Sequence, residues 1–101
     1  MKGEWLLMVT MFVRHKVEDY GNWKRFYDGF GPEREEMGVT GASVYCDAHD
    51  TNAITVTHQF KDLNAATAFA NSVELKATMA KAGVSGPPEI WFTQQIETTP
   101  N

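Results

Sequence analysis

Residues 5–13 are apolar almost without a break and run directly into Arg14, His15 and Lys16. Side chains alternate across a strand, so Leu7, Val9, Met11, Val13 and His15 project one way, and Leu6, Met8, Thr10, Phe12 and Arg14 the other. Both sides are apolar for most of the run. Such a strand has to be covered on both faces, which puts it at the middle of a sheet held between two layers. His15 is the first polar residue on its side. A helical pattern follows at once: Tyr20, Trp23, Phe26, Tyr27 and Phe30 recur at three- and four-residue spacings, with Asp19 placed to cap the helix.

Gly31-Pro32 interrupts that helix, and Pro32 opens a short helical piece over 33–37 that Gly38 stops. A second strand is expected over 40–46, a polar turn over 47–52, and a third strand over 53–60 with Ile54, Val56, His58 and Phe60 on one face. The two form a hairpin. Asp62 caps a second helix bearing Leu63, Ala66, Phe69 and Ala70. Ser72 restarts it with Val73, Leu75 and Met79 inward, and Gly83 ends it. After a Gly/Pro loop over 84–88, a fourth strand occupies 89–96. The order is βαββαβ, a split βαβ arrangement in one domain spanning 1–101.

Right-handed crossovers are expected to set strands one and three side by side and parallel at the centre, with both helices on one face. His15 and His58 then come to the same end of the sheet, together with the start of strand four. There they surround a cleft with Tyr20, Trp23, Tyr27 and Trp91. The other face stays apolar, and a second copy of the chain is its simplest cover, two sheets packing about a two-fold axis.

An apolar cleft with a few inward polar groups suits a small hydrophobic or aromatic ligand. Paired histidines there can act as general base and acid, although each histidine taken alone also fits a purely structural place. Trp23, Tyr27 and Trp91 can stack on an aromatic ring. Asp47, His49 and Asp50 match no zinc or calcium spacing, Cys46 has no base suitably beside it, and residues 83–88 lack phosphate-loop spacing. No metal, nucleotide or other cofactor is expected. The net charge of -4, with scattered basic residues, argues against nucleic acid as a partner. A single cysteine excludes an internal disulfide framework. No segment reaches the ~20 apolar residues of a membrane span, and the run after Lys2 lacks a cleavage site for a signal peptide. A cytoplasmic protein is the expectation.

The segments VRHKVEDYGNWKRFYD, GASVYCDAHDTNAITVTHQF and FANSVELKATMAKAGVSGPPEIWF resemble the dimeric α+β barrel superfamily, particularly small antibiotic-biosynthesis-monooxygenase-like and cyclase-like proteins. The resemblance implies a ferredoxin-like α+β fold with a four-stranded antiparallel sheet and a homodimer through the sheet face. It also implies cofactor-independent oxygenase chemistry on an aromatic or polyketide-like substrate, or cyclase chemistry by a histidine–tyrosine pair. Trp23 matches the tryptophan of the oxygenases, but no asparagine lies on a strand facing the cleft. His58 or His15 with Tyr27 would supply the cyclase pair. Three classes therefore stand side by side: a catalyst, a non-catalytic small-ligand binder, and a fold whose dimer is its purpose.

Overall fold

The computed structural model describes residues 8–101, so the expected strand beginning at residues 5–7 lies outside the described part. Eight elements follow in order: β1 (Val9–Val17), α1 (Tyr20–Gly29), α2 (Gly31–Glu36), β2 (Gly41–Asp47), β3 (Asp50–Phe60), α3 (Leu63–Ala70), α4 (Val73–Lys81) and β4 (Val84–Gln94). The sheet order is β2-β3-β1-β4, and every neighbouring pair is antiparallel.

The central pair thus corrects the parallel arrangement expected from crossover handedness. The handedness rule governs strands joined through a helix, which here are β1 with β2 and β3 with β4. The chain crosses from β1 over the sheet to β2 and leaves a gap of one strand. β3 then returns by a tight hairpin into that gap, so it must run against both neighbours.

Helices α1, α3 and α4 each start where a short polar side chain can take a free backbone N–H. Asp19 accepts from Asn22 N at 2.8 Å, Asp62 from Ala65 N at 2.8 Å and Ser72 from Leu75 N at 3.1 Å. Gly38 and Gly83 end α2 and α4 with φ of 98° and 80°, which a side chain would resist. Helix α1 reaches Gly29, and Arg34 N bonds Phe30 O across the junction, so α2 carries on nearly where α1 stops. Strand β3 begins earlier than its apolar pattern suggests, because Asp47 pairs with Asp50 and shortens the turn to Ala48-His49. Strand β4 likewise starts at Val84 and takes Pro87 and Pro88 into an edge position, where a missing N–H costs no ladder bond.

On β1, Val9, Met11, Val13, His15 and Val17 are buried beneath the helices. Two packed groups form the core. Met11, Val13, Phe30, Phe60, Phe69 and Leu75 belong to one, and Val17, Trp23, Ile54, Val56 and Ala82 to the other. The interior is divided, and the seam between the groups is where the histidines lie. Val73, expected to face inward, is 76% exposed, and Leu63 of the α3 stripe is 52% exposed; each opens the first turn of its helix.

Candidate functional site

A cleft runs along that seam. Its floor is Val13, His15, Val56 and His58 of the two central strands. Its roof is Trp23 and Tyr27 of α1 with Leu75, Thr78 and Met79 of α4, while Phe30, Arg34 and Ala82 complete its walls. The wall is almost wholly apolar apart from the histidines, Tyr27, Arg34 and Thr78. The enclosed space is about 40 Å³, enough for about three water molecules.

His15 and His58 both face the helices, though not from one end of the sheet. Antiparallel pairing sets His15 opposite Ile54 and His58 opposite Met11. Four register steps separate them, roughly 13 Å along the strands. The expected common rim is therefore replaced by two stations at either end of one cleft. They share it because both have the same parity, odd positions of β1 lying across from even positions of β3.

His15 is 7% exposed and lies 5.8 Å, centroid to centroid, from Trp23. His58 is 4% exposed and lies 5.0 Å from Phe69. Neither ring nitrogen of His15 has a hydrogen-bond partner among the described residues, nor has Nδ1 of His58. Buried polar atoms are normally paired, so three such atoms on one cleft wall are exceptional. Burial lowers the pKa of His15. His58 is lowered further, from 6.5 to about 4, first by burial and then by the positive charge of Arg34. Both rings are neutral near pH 7, with lone pairs free to accept a proton or a hydrogen bond.

The aromatic stripe continues the sequence reading. Trp23 is buried and stacks on Tyr27 at 5.1 Å, and Tyr20 meets Trp23 at 5.9 Å from a position 39% exposed at the mouth of α1. Trp91 is not in the cleft. Its partner in register is Phe12, on the other face of the sheet, and the two rings stack at 5.2 Å with planes 7° apart. Strand four does begin at the His15 end, but the pairing that fixes its parity sends Ile90 inward and Trp91 outward.

Arg34 escaped the sequence reading. Its Nη1 donates to the Tyr27 carbonyl oxygen at 2.6 Å, and its guanidinium carbon sits 3.8 Å from the centre of the Tyr27 ring. The positions Trp23, Tyr27, Phe30 and Arg34 follow one another at helical spacing, so extending the aromatic stripe across Gly31-Pro32 would have found it. Elsewhere, Cys46 is exposed, and among the described residues no group of His, Cys, Asp and Glu is placed to hold a metal. No described helix is long and apolar enough to cross a membrane.

No protein-family model matches the chain, and no curated protein does. Solved structures match closely in shape. SnoaB, a cofactor-independent oxygenase from Streptomyces nogalater, superposes with a TM-score of 0.77 at 12% identity, covering 94% of this chain and 99% of its own. The ActVA-Orf6 monooxygenase of Streptomyces coelicolor, solved with the ligand nanaomycin D, gives 0.70 at 18% identity over 97% of this chain and 96% of its own. A Bordetella bronchiseptica protein provisionally named an antibiotic biosynthesis monooxygenase gives 0.78 at 11% identity, covering 90% and 99%. At such identities the likeness speaks for the backbone alone. The chain has the ferredoxin-like α+β fold of the antibiotic-biosynthesis-monooxygenase-like structures.

Proposed function

We propose that the cleft is the active site of a monooxygenase-like enzyme that works on a small aromatic or polyketide-like molecule without metal or nucleotide. One observation carries the reading: two buried, neutral histidines with unpartnered nitrogens face a single cleft roofed by Trp23 and Tyr27. The matching fold of a cofactor-independent oxygenase supports it.

The base is His15 rather than His58. Even for a substrate proton as acidic as a phenol's, ~10, transfer to a group at about 4 is uphill by about 8 kcal/mol. His15 has no cation among the causes that lower it, and so it is the better acceptor. His58 stays neutral and hydrogen-bonds a polar substituent of the substrate, Tyr27 returns a proton, and the Trp23 indole lies against the substrate ring. Removal of a C–H proton gives a carbanion, to which dioxygen adds as a hydroperoxide. Loss of water then leaves a carbonyl. The present cleft is far below the roughly 300 Å³ of a usual ligand pocket, so α1 and α4 must part to admit a two- or three-ring molecule.

Anthrone, whose central methylene is readily deprotonated, is a suitable probe, with dioxygen uptake as the readout. His15→Gln is expected to slow uptake about 100-fold while anthrone affinity stays within several-fold. Unchanged uptake rejects His15 as the base. Binding of anthrone by the native protein with no uptake favours the non-catalytic binder.

The homodimer belongs to the same proposal. Trp91, beside Phe12, is 41% exposed on the face away from the helices, and Tyr45, across from Thr55 on the same face, is 56% exposed. A two-fold partner covers such a face with its own copy of the same rings. Trp91→Lys is expected to reduce the mass seen in sedimentation from two chains to one. A dimer that survives this change uses another surface.

A further inference from the structure

Arg34 is the only permanently charged side chain on the cleft wall among the described residues. Its bond to the Tyr27 carbonyl uses one of five N–H donors, and its guanidinium carbon lies over the Tyr27 ring. The ion pairs among the described residues are Lys16 with Asp50 and Lys24 with Asp28, so Arg34 has no carboxylate of its own. Adjacent Glu33, Glu35 and Glu36 are exposed and leave it unpaired. A guanidinium held over a ring on a cleft wall, with no carboxylate beside it, keeps its remaining donors open to an anion.

We infer that the His58 end of the cleft is an anion subsite, and that the substrate carries a carboxylate which Arg34 binds. This rests on the reading of the cleft as the substrate site, and it gives that substrate a direction. The carboxylate lies at Arg34 and His58, the flat ring lies along Trp23 and Tyr27, and the reacting carbon lies toward His15. Roughly 13 Å between the two histidine stations is about the length of a two- or three-ring acid with its side chain. Burying a carboxylate is offset here by charge-assisted hydrogen bonds from a planar fork already held in place.

The test uses 2-naphthoate and its neutral isostere 2-naphthamide at pH 7.5. Affinities come from calorimetry, and NMR of the histidine imidazoles reports where each ligand sits. Native protein is expected to bind the acid at least ten-fold tighter than the amide, with both histidines' resonances displaced. Arg34→Gln should weaken the acid at least ten-fold and leave the amide within two-fold, whereas Arg34→Lys should keep an intermediate preference. Equal binding of acid and amide with displaced imidazole resonances overturns the anion subsite and leaves the cleft as a ligand site. Equal weakening of both ligands by Arg34→Gln makes Arg34 a strut for α1 and also overturns it. If neither ligand moves either imidazole, the cleft reading fails and this inference with it.

Discussion

Phe69→Ala is expected to cost about 3–5 kcal/mol, more than half of what a domain of this size has at the lower end of the usual range. Phe69 is completely buried in the last turn of α3. Its ring lies 5.5 Å from Phe60, 6.2 Å from Phe30 and 5.0 Å from His58. It therefore joins the third strand, the first helix and the cleft floor at one point. Alanine leaves a cavity that short helices on one side of a sheet cannot close, and the cavity adds to the lost transfer energy. In urea the midpoint should fall by roughly 2 M at unchanged slope, with protein concentration held fixed because a dimer would link stability to it. Phe69→Leu leaves a smaller hole and should cost about 1–2 kcal/mol. A loss below about 1 kcal/mol for the alanine variant would mean that α3 is not clamped to the sheet through this ring.

The same ring explains why part of the site was readable from sequence. Alternation in β3 puts Ile54, Val56, His58 and Phe60 on one face, and the period of α3 puts Ala66 and Phe69 opposite them. Each is a local rule, satisfied within a few residues. The stripe Trp23, Tyr27, Phe30 is legible for the same reason. What these local rules could not supply is pairing, although the family resemblance implied an antiparallel sheet. Whether β3 runs with or against β1 depends on the strand inserted between β1 and β2, a choice made by the whole sheet. Reading it as parallel moved His58 to the wrong end, although its face was right.

Trp91 shows the limit at the scale of one residue. Ile90, Trp91 and Phe92 are all apolar, so alternation along β4 is blind to which of them faces the helices. The answer lies in the register Phe12–Trp91, beyond a shift in pairing between Arg14 and Lys16. Arg34 was missed for a different reason. A charged residue among glutamates reads as solvated, and only its contact with Tyr27, seven residues earlier, shows that α2 prolongs the stripe of α1.

Acid should destabilise the protein through His58 more than through any other histidine. The imidazole is buried, and burial together with Arg34 holds its pKa down from 6.5 to about 4. In the unfolded chain it takes up a proton as pH falls through about 6.5, whereas the folded protein refuses that proton until about 4. Between those values the unfolded state binds more protons, so stability is full above 6.5 and declines as pH drops through the window. At about 1.4 kcal/mol per pH unit the loss attributable to His58 approaches about 3 kcal/mol near pH 4. His15, also lowered by burial, adds in the same direction. Carboxylates begin to titrate at the bottom of the same window, so the informative quantity is the difference between native protein and His58→Leu. Leucine suits a site against Phe69 and removes the unpartnered Nδ1, so the variant should be at least as stable as native at pH 7. By pH 4.5 it should lead by a further 2–3 kcal/mol, about 1 M in urea midpoint. A gain in stability bought by discarding a histidine is what a residue kept for chemistry predicts. Parallel stability curves for the two proteins from pH 7 to 4.5 would mean that His58 is protonated as readily folded as unfolded, and that water already reaches the floor of the cleft.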